Sequence, residues 1–448
     1  MNEKYKELFM RLVKARTNRN FDDELKIILS DSSINEKELF NLISSLCGVE
    51  VNSTENFIDN LKVAIKNYSP DHKVVTKINH CSGECVDIHG KTICQNSCPF
   101  DAIIFNNQGN NTLIDPIKCT DCGNCVEACP TGSLFDKVEF IPLLNLLNES
   151  APVVAAVAPA IAGQFGDATT LNQLRTAFKA LGFHDMVEVA FFADMLTLKE
   201  AVEFDTHVKN ERDFLITSCC CPMWVAMVKR VYTDLVKHVS PSISPMIAAG
   251  RILKKLNPEC KVVFIGPCVA KKAEAKEKDL LGDIDFVLTF DELKIIFDVH
   301  NIVPHTLPED FSSEYASRGG RLYGRTGGVS TAVSETVESL FPKKLQHLKS
   351  VQANGVKNCK ELLSKAMEGT IDANFIEGMG CVGGCVGGPK ALIPMTEGTK
   401  YVNKTAEDSL IKISLDSSCM KEILEKLQIN NFDAFKDPKK IEIFEREF

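Results

Sequence analysis

Four thiols crowd one short run of this chain, Cys119-x2-Cys122-x2-Cys125-x3-Cys129-Pro130. Three cysteines on so tight a loop can grip three corners of an iron–sulfur cubane, while a fourth that precedes proline points away and ligates a second cluster. A looser set stands upstream, Cys81-x3-Cys85-x8-Cys94-x3-Cys98-Pro99. Exchanging the two fourth ligands assigns one 4Fe-4S cluster to Cys81, Cys85, Cys94 and Cys129, and the other to Cys119, Cys122, Cys125 and Cys98. The competing reading, a pair of zinc sites, usually joins two short CxxC units and does not need a Cys-Pro fourth ligand. The x8 loop is expected to bulge at the surface, with His80 and His89 as solvated neighbours rather than ligands.

A third set of thiols stands where apolar runs stop. Val153–Val157 leads into Ala158-Pro159-Ala160, and Phe214-Leu215-Ile216 into Thr217-Ser218-Cys219-Cys220-Cys221-Pro222-Met223-Trp224. Val262–Ile265 leads into Gly266-Pro267-Cys268, and Ala373–Ile376 into Glu377-Gly378-Met379-Gly380-Cys381. Short buried strands alternating with helices make a parallel sheet, and such sheets place ligands beyond their carboxyl ends. Cys221, Cys268, Cys381 and Cys385 could therefore converge and hold a third cubane, with a structural zinc as the alternative. The run Gly378-x-Gly380-x2-Gly383 matches a dinucleotide fingerprint in form. Cysteines inside and just after it favour a different use, glycines that let backbone approach a cluster.

The elements that must position these groups fall into three expected segments: a helical one over 1–74, a ferredoxin-like one over 75–140 and an α/β one over 141–448. The fold class is α/β plus α+β, with parallel sheets in a two-lobed third segment. In the first segment Ser33-Ile34-Asn35-Glu36 has the form of a capping box, and Phe57, Ile58, Leu61, Ala64 and Ile65 follow helical spacing. Cys47 has no partner thiol nearby in sequence and reads as a small buried hydrophobe. The last helix carries Met420, Ile423, Leu424 and Leu427, with Asn430-Asn431 as its stop.

Composition bounds the chemistry. The chain has 448 residues, a net charge of −9 and 18 cysteines. That charge argues against nucleic acid as the main partner, because phosphate contacts need clustered Lys and Arg. No apolar run approaches the roughly 18–20 residues that span a bilayer. The charged N-terminus lacks a secretory h-region, so a cytoplasmic protein with reduced thiols is expected.

The three loops beyond the strands resemble the signatures of the FeFe (iron-only) hydrogenases, TSCCPxW, PCxxKxxE and ExMxCxxGCxxGG. This chain has TSCCCPMW at 217–224, PCVAKKAE at 267–274 and EGMGCVGGCVGG at 377–388. With the ferredoxin-like part, the likeness covers roughly residues 75–400, and the first signature is similar to that of a clostridial subgroup called group B. The resemblance implies that Cys221, Cys268, Cys381 and Cys385 ligate the cubane of an H-cluster. In such a cluster Cys385 bridges to a diiron unit carrying CO, cyanide and azadithiolate ligands. It further implies that Lys271 hydrogen-bonds a cyanide, that Ala158, Pro159 and Met379 pack the pocket, and that Gly324-x-Thr326-Gly327-Gly328 is a family loop.

For protons, the resemblance implies Cys220 as donor thiol, Glu200 and Glu203 as carboxylates and Ser240 as the hydroxyl between them. Spacing alone would make Glu200 and Glu203 a solvated i, i+3 pair. Cys219 competes with Cys220 for the donor role, and anchoring on Pro222 and Trp224 favours Cys220. His207 stands where relatives often carry Arg, Ala160 where Ser is common, Gly266 where Met packs, and Met246 where Gln is frequent. The implied activity is reversible reduction of protons to H2. Its electrons come from ferredoxin or a similar soluble carrier, and its diiron unit from maturation enzymes. The alternatives from other classes are a non-catalytic hydrogenase-like assembly factor and an H2 sensor.

Overall fold

Apolar residues recur at helical spacing through residues 1–70, and helices form there: Glu3–Thr17, Phe21–Asp31, Glu36–Leu46 and Phe57–Lys66. The computed structural model describes all residues except 2, 32–34, 52–54, 71, 82–84, 107–110, 211 and 313–314, and all their side chains except those of 3, 4, 31 and 106. Ser33 and Ile34 of the expected capping box lie outside the described residues. The cap that is described is Asn35, whose side chain accepts from the Lys37 amide at 3.1 Å. Leu39, Phe40, Leu42 and Ile43 are buried, as are Phe57, Leu61 and Ile65. The Phe40 and Phe57 rings stack at 4.1 Å, which joins two of the helices. Cys47 is fully buried.

The chain divides into two compact units. The first comprises 1–151, 269–276 and 286–303, and the second 152–268, 277–285 and 304–448. In the first unit the cysteine-rich segment is built from two short antiparallel pairs, Val75–Lys77 with Leu134–Asp136 and Ile103–Asn106 with Asn111–Ile114. Two short helices, Ile93–Ser97 and Asn124–Ala128, each end on a cysteine that precedes proline. The proline ring disfavours helical backbone in the preceding residue. Cys98 and Cys129 are accordingly extended, at φ −80°, ψ 114° and φ −76°, ψ 107°.

In the second unit the strand Val153–Val157 runs parallel to Asp185–Glu188 on one side and Lys261–Gly266 on the other. A separate parallel sheet has Phe375–Met379 between Ser350–Asn354 and Leu215–Ile216. All four apolar runs expected to be strands contribute strands, but the last begins at Phe375 and continues through Glu377, Gly378 and Met379, residues expected in the loop, and Gly266 likewise ends its strand rather than opening the loop. The helix Val189–His207 is buried from Val189 through Phe204, so its polar residues have no solvated face to occupy. Near the C-terminus, Met420 and Leu424 are buried on the helix Ser418–Lys426. That helix ends earlier than expected, because Gln428 turns left-handed at φ 66°. Asn431 then caps a following turn, Phe432–Lys436, instead of stopping the helix.

Candidate functional site

Within the first unit the thiols act electrostatically on one another. Burial and the neighbouring thiols of Cys129, Cys85 and Cys81 hold the Cys94 thiol above its ordinary pKa. Burial with Cys122, Cys119, Cys98 and Cys94 does the same to Cys125. Burial pushes Cys119 up to about 11 and Cys122 up to about 12, with Cys98 acting on both. Cys98, Cys119, Cys122 and Cys125 also line one small cavity. Cys129 moves down, because hydrogen bonds from Thr131 and the backbone of Leu134, Thr131 and Ser133 outweigh its burial. Thus the extended cysteine of each helix lies with the other helix's set. Backbone donors already face sulfur: Ala102 N reaches Cys98 Sγ at 3.3 Å and Asp121 N reaches Cys119 Sγ at 3.4 Å. His80 and His89 are exposed.

In the second unit the end of the strand Phe375–Met379 and the loops beyond the strands interlock. The Trp224 indole donates to Thr217 O at 2.8 Å and lies flat against Gly378, where an added Cβ would stand 2.2 Å from the ring. Gly380 meets Met223 in the same way. These two glycines therefore admit side chains of the first signature rather than a cluster, a change from the sequence expectation. Gly384, at φ 89°, sits against the backbone of Arg325 and Thr326, and Thr326 N donates to Gly383 O at 3.0 Å. Gly324 packs on Pro159 and Ala160, and Val386 N donates to Gly324 O at 3.0 Å. Lys390 N donates to Pro267 O at 3.1 Å, which brings the residue before Cys268 against the third signature. Gly380 N donates to Cys221 Sγ at 3.3 Å. Ala158 and Met379 are buried and Pro159 is half-buried in these loops.

Glu377 ties the third signature to the glycine-rich loop. Its carboxylate accepts from Gly327 N at 2.7 Å, Ser330 N at 2.8 Å and Ser330 Oγ at 2.7 Å, at the start of the helix Gly328–Leu340. Orphan amides and the helix dipole both favour an anion there. Sequence reading did not assign this role, although the glutamate is part of the signature.

The donor set suits iron–sulfur chemistry, since thiolates are the soft ligands such clusters take. Beside these thiols Ser218 Oγ and Thr326 Oγ1 are buried without a hydrogen-bond partner, room that a bound group can satisfy. Ser218 is itself left-handed at φ 66°, a costly conformation for a residue with a side chain. Among the described residues no three His, Cys, Asp or Glu side chains close on one point as ligands of a single ion would. A cubane instead holds its thiolates apart, one at each iron. Lys271 is buried and pairs with Glu274 at 2.5 Å, and both lie in the first unit.

Glu200 and Glu203 are buried, against the solvated pair that spacing alone suggests. Burial lifts the Glu200 carboxyl to about 7, and Thr217 Oγ1 donates to it. Ser240 Oγ donates to Glu203 Oε2 at 2.7 Å. The Cys219 thiol donates to Ser240 O at 3.1 Å and feels both carboxylates, so it lies beside them. Cys220 is half-buried and packs against the core cluster that includes Tyr323, Phe375 and Met379. Lys199 and Ser242, also at this cluster of polar groups, carried no sequence signal that singled them out.

Comparison with known proteins places this arrangement. Residues 151–389 match the model of the iron-only hydrogenase large subunit, C-terminal domain, and residues 112–135 match a 4Fe-4S binding domain. Iron hydrogenase 1 of Clostridium pasteurianum is 28% identical over 68% of this chain, and the match spans 62% of that enzyme's length. Cytosolic iron-sulfur assembly component 3 of Mus musculus is 25% identical over 67% of this chain and 77% of its own. A solved FeFe-hydrogenase from Chlamydomonas reinhardtii shares 25% identity, with a TM-score of 0.55, over 63% of this chain and 92% of that one. No helix among the described residues is long and apolar enough to cross a membrane. With the family model covering more than half of its residues, the chain belongs to the iron-only hydrogenase large-subunit family.

Proposed function

We propose that this chain is a cytoplasmic hydrogenase that interconverts protons, electrons and H2, exchanging electrons with ferredoxin or a similar soluble carrier. The observation that carries the reading is the buried set of Glu200, Thr217, Glu203 and Ser240 beside the triple-cysteine loop. Two buried carboxylates burden a fold, and a proton route is a use that repays them. Cys221, Cys268, Cys381 and Cys385 would hold the H-cluster, with Ala158, Pro159 and Met379 packing around it. When bound, that cluster supplies the iron at which protons and electrons combine.

The chain's own groups do the rest. Cys220 holds a proton at its sulfur beside the pocket, with Cys219 as the competing donor. Glu200, near neutrality in its affinity for protons, exchanges with that thiol, and Ser240 and Glu203 carry protons outward. The eight thiols of the first unit hold the two 4Fe-4S clusters that relay electrons.

A second reading, an iron–sulfur assembly factor of the same fold, draws on the similarity to the mouse assembly component. Anaerobic maturation followed by infrared spectroscopy and H2 assays in both directions separates the two. The hydrogenase reading expects CO and cyanide stretching bands with turnover; their joint absence after maturation defeats it.

A further inference from the structure

We propose that protons enter and leave this chain's relay at Glu445, near the C-terminus, through the Lys199 ammonium that bridges Glu445 to Glu203. The inference rests on the hydrogenase reading and adds its solvent end. Lys199 is one residue before Glu200 on the helix Val189–His207, and its side chain is only 1% exposed. Its Nζ lies 3.2 Å from Glu203 Oε1, 3.1 Å from Glu445 Oε1 and 3.0 Å from Ser242 Oγ. Ser242 Oγ, which accepts from Lys199, lies 2.8 Å from Ser240 Oγ and donates to it, while the single Ser240 hydroxyl hydrogen goes to Glu203. Every polar group from Glu203 to Glu445 is thus within hydrogen-bond range of the next. Of the three ionic groups Glu445 is the most exposed, its side chain 26% open against 9% for Glu203.

The segment that carries Glu445 is fixed independently of that ion pair. Ser242 and Glu445 form an antiparallel bridge, flanked by Ile243 N to Phe444 O at 2.9 Å and Arg446 N to Pro241 O at 2.9 Å. Arg251 Nη1 donates to Glu445 O at 2.8 Å. The charged neighbours are otherwise engaged: Arg251 pairs with Asp283, and Arg446 with Glu277 and Asp279. Burial opposes the Lys199 charge, but Glu203 and Glu445 together outweigh it. His207, at the end of the same helix, is exposed and among the described residues bonds to neither Glu203 nor Ser240.

In the inward direction Glu445 takes a proton from water and passes it to Lys199, while Lys199 releases one of its own to Glu203. The ammonium keeps its charge, and the net change is one proton moved from solvent to Glu203. Lys199 is in these terms a positioning group for both carboxylates as well as their link.

The test uses the matured holoenzyme and three variants, Glu445→Gln, Glu445→Ala and His207→Ala, with H2 evolution, H2 uptake and infrared bands measured on each. Glu445→Gln should lower turnover about 10- to 100-fold in both directions with the CO and cyanide bands unchanged. Acetate added to Glu445→Ala should restore part of the loss, which a merely structural role would not allow. His207→Ala should keep its turnover. Wild-type turnover in Glu445→Gln, a loss in His207→Ala instead, or no acceleration of Glu445→Ala by acetate would each overturn the route. If Glu445→Gln does not accumulate with intact bands, Glu445→Ala with and without acetate decides. A wild-type protein with neither bands nor turnover would overturn the hydrogenase reading itself, a result distinct from an active enzyme indifferent to Glu445.

Discussion

Burial on the helix Val189–His207 lifts the Glu200 carboxyl from its ordinary 4.5 to about 7, and Thr217 only partly offsets the shift. Between those two values the folded chain binds a proton that the unfolded chain has released. Stability therefore falls as pH rises through this window and stays lost above it. A glutamine at this position does not titrate. Glu200→Gln should match the wild type near pH 4 and gain on it up to pH 8, by at most about 3 kcal/mol. On the proposed proton route the same change removes a transfer group, so stabilisation and loss of H2 turnover should arrive together. Anaerobic thermal unfolding at the two pH values measures the first effect. A gap that does not widen with pH would show that the carboxylate is solvated or otherwise compensated.

At the scale of elements, the end of the strand Phe375–Met379 and the loops around it hold one another by close approach and by one carboxylate. Trp224 against Gly378 and the Arg325–Thr326 backbone against Gly384 leave no room for a side chain at either glycine. Glu377 closes the assembly by accepting three hydrogen bonds at the start of the helix Gly328–Leu340. Removing a buried carboxylate from such a site strands the donors it served, at about 1–3 kcal/mol for each group left unsatisfied. Glu377→Ala should therefore lower the thermal midpoint and any iron bound by the second unit, while iron bound by the thiols of the first unit stays. Iron analysis beside electron paramagnetic resonance checks this, and an unchanged midpoint would mean that water replaces the carboxylate. Strands and their loops were legible in the sequence, because apolar runs that stop at Cys, Pro and Gly leave few ways to fold. The packing role of Gly378 was not, since nothing in a glycine's neighbours along the chain says whether a cluster or an indole will approach it.

Across the whole molecule, legibility tracks how local the determinant is. The proline after each cysteine predicts extended backbone at Cys98 and Cys129, and both are extended, because that determinant lies in the next residue along the chain. Lys199, Ser242 and Glu445 meet only after folding, and their one-letter context carries no trace of the meeting. The exchanged fourth ligands can be tested by pairing substitutions. If Cys94 and Cys129 serve one cluster, Cys94→Ser with Cys129→Ser should cost about four irons, no more than either change alone. Cys94→Ser with Cys98→Ser should cost about eight, because that pair disables both clusters. The opposite order of losses would mean that each cluster takes all its ligands from one run of sequence. In that case the extended backbone at Cys98 and Cys129 would serve only to end the two helices. The pairing therefore separates a ligand-directing proline from a merely helix-breaking one, a distinction that neither residue's own conformation can make.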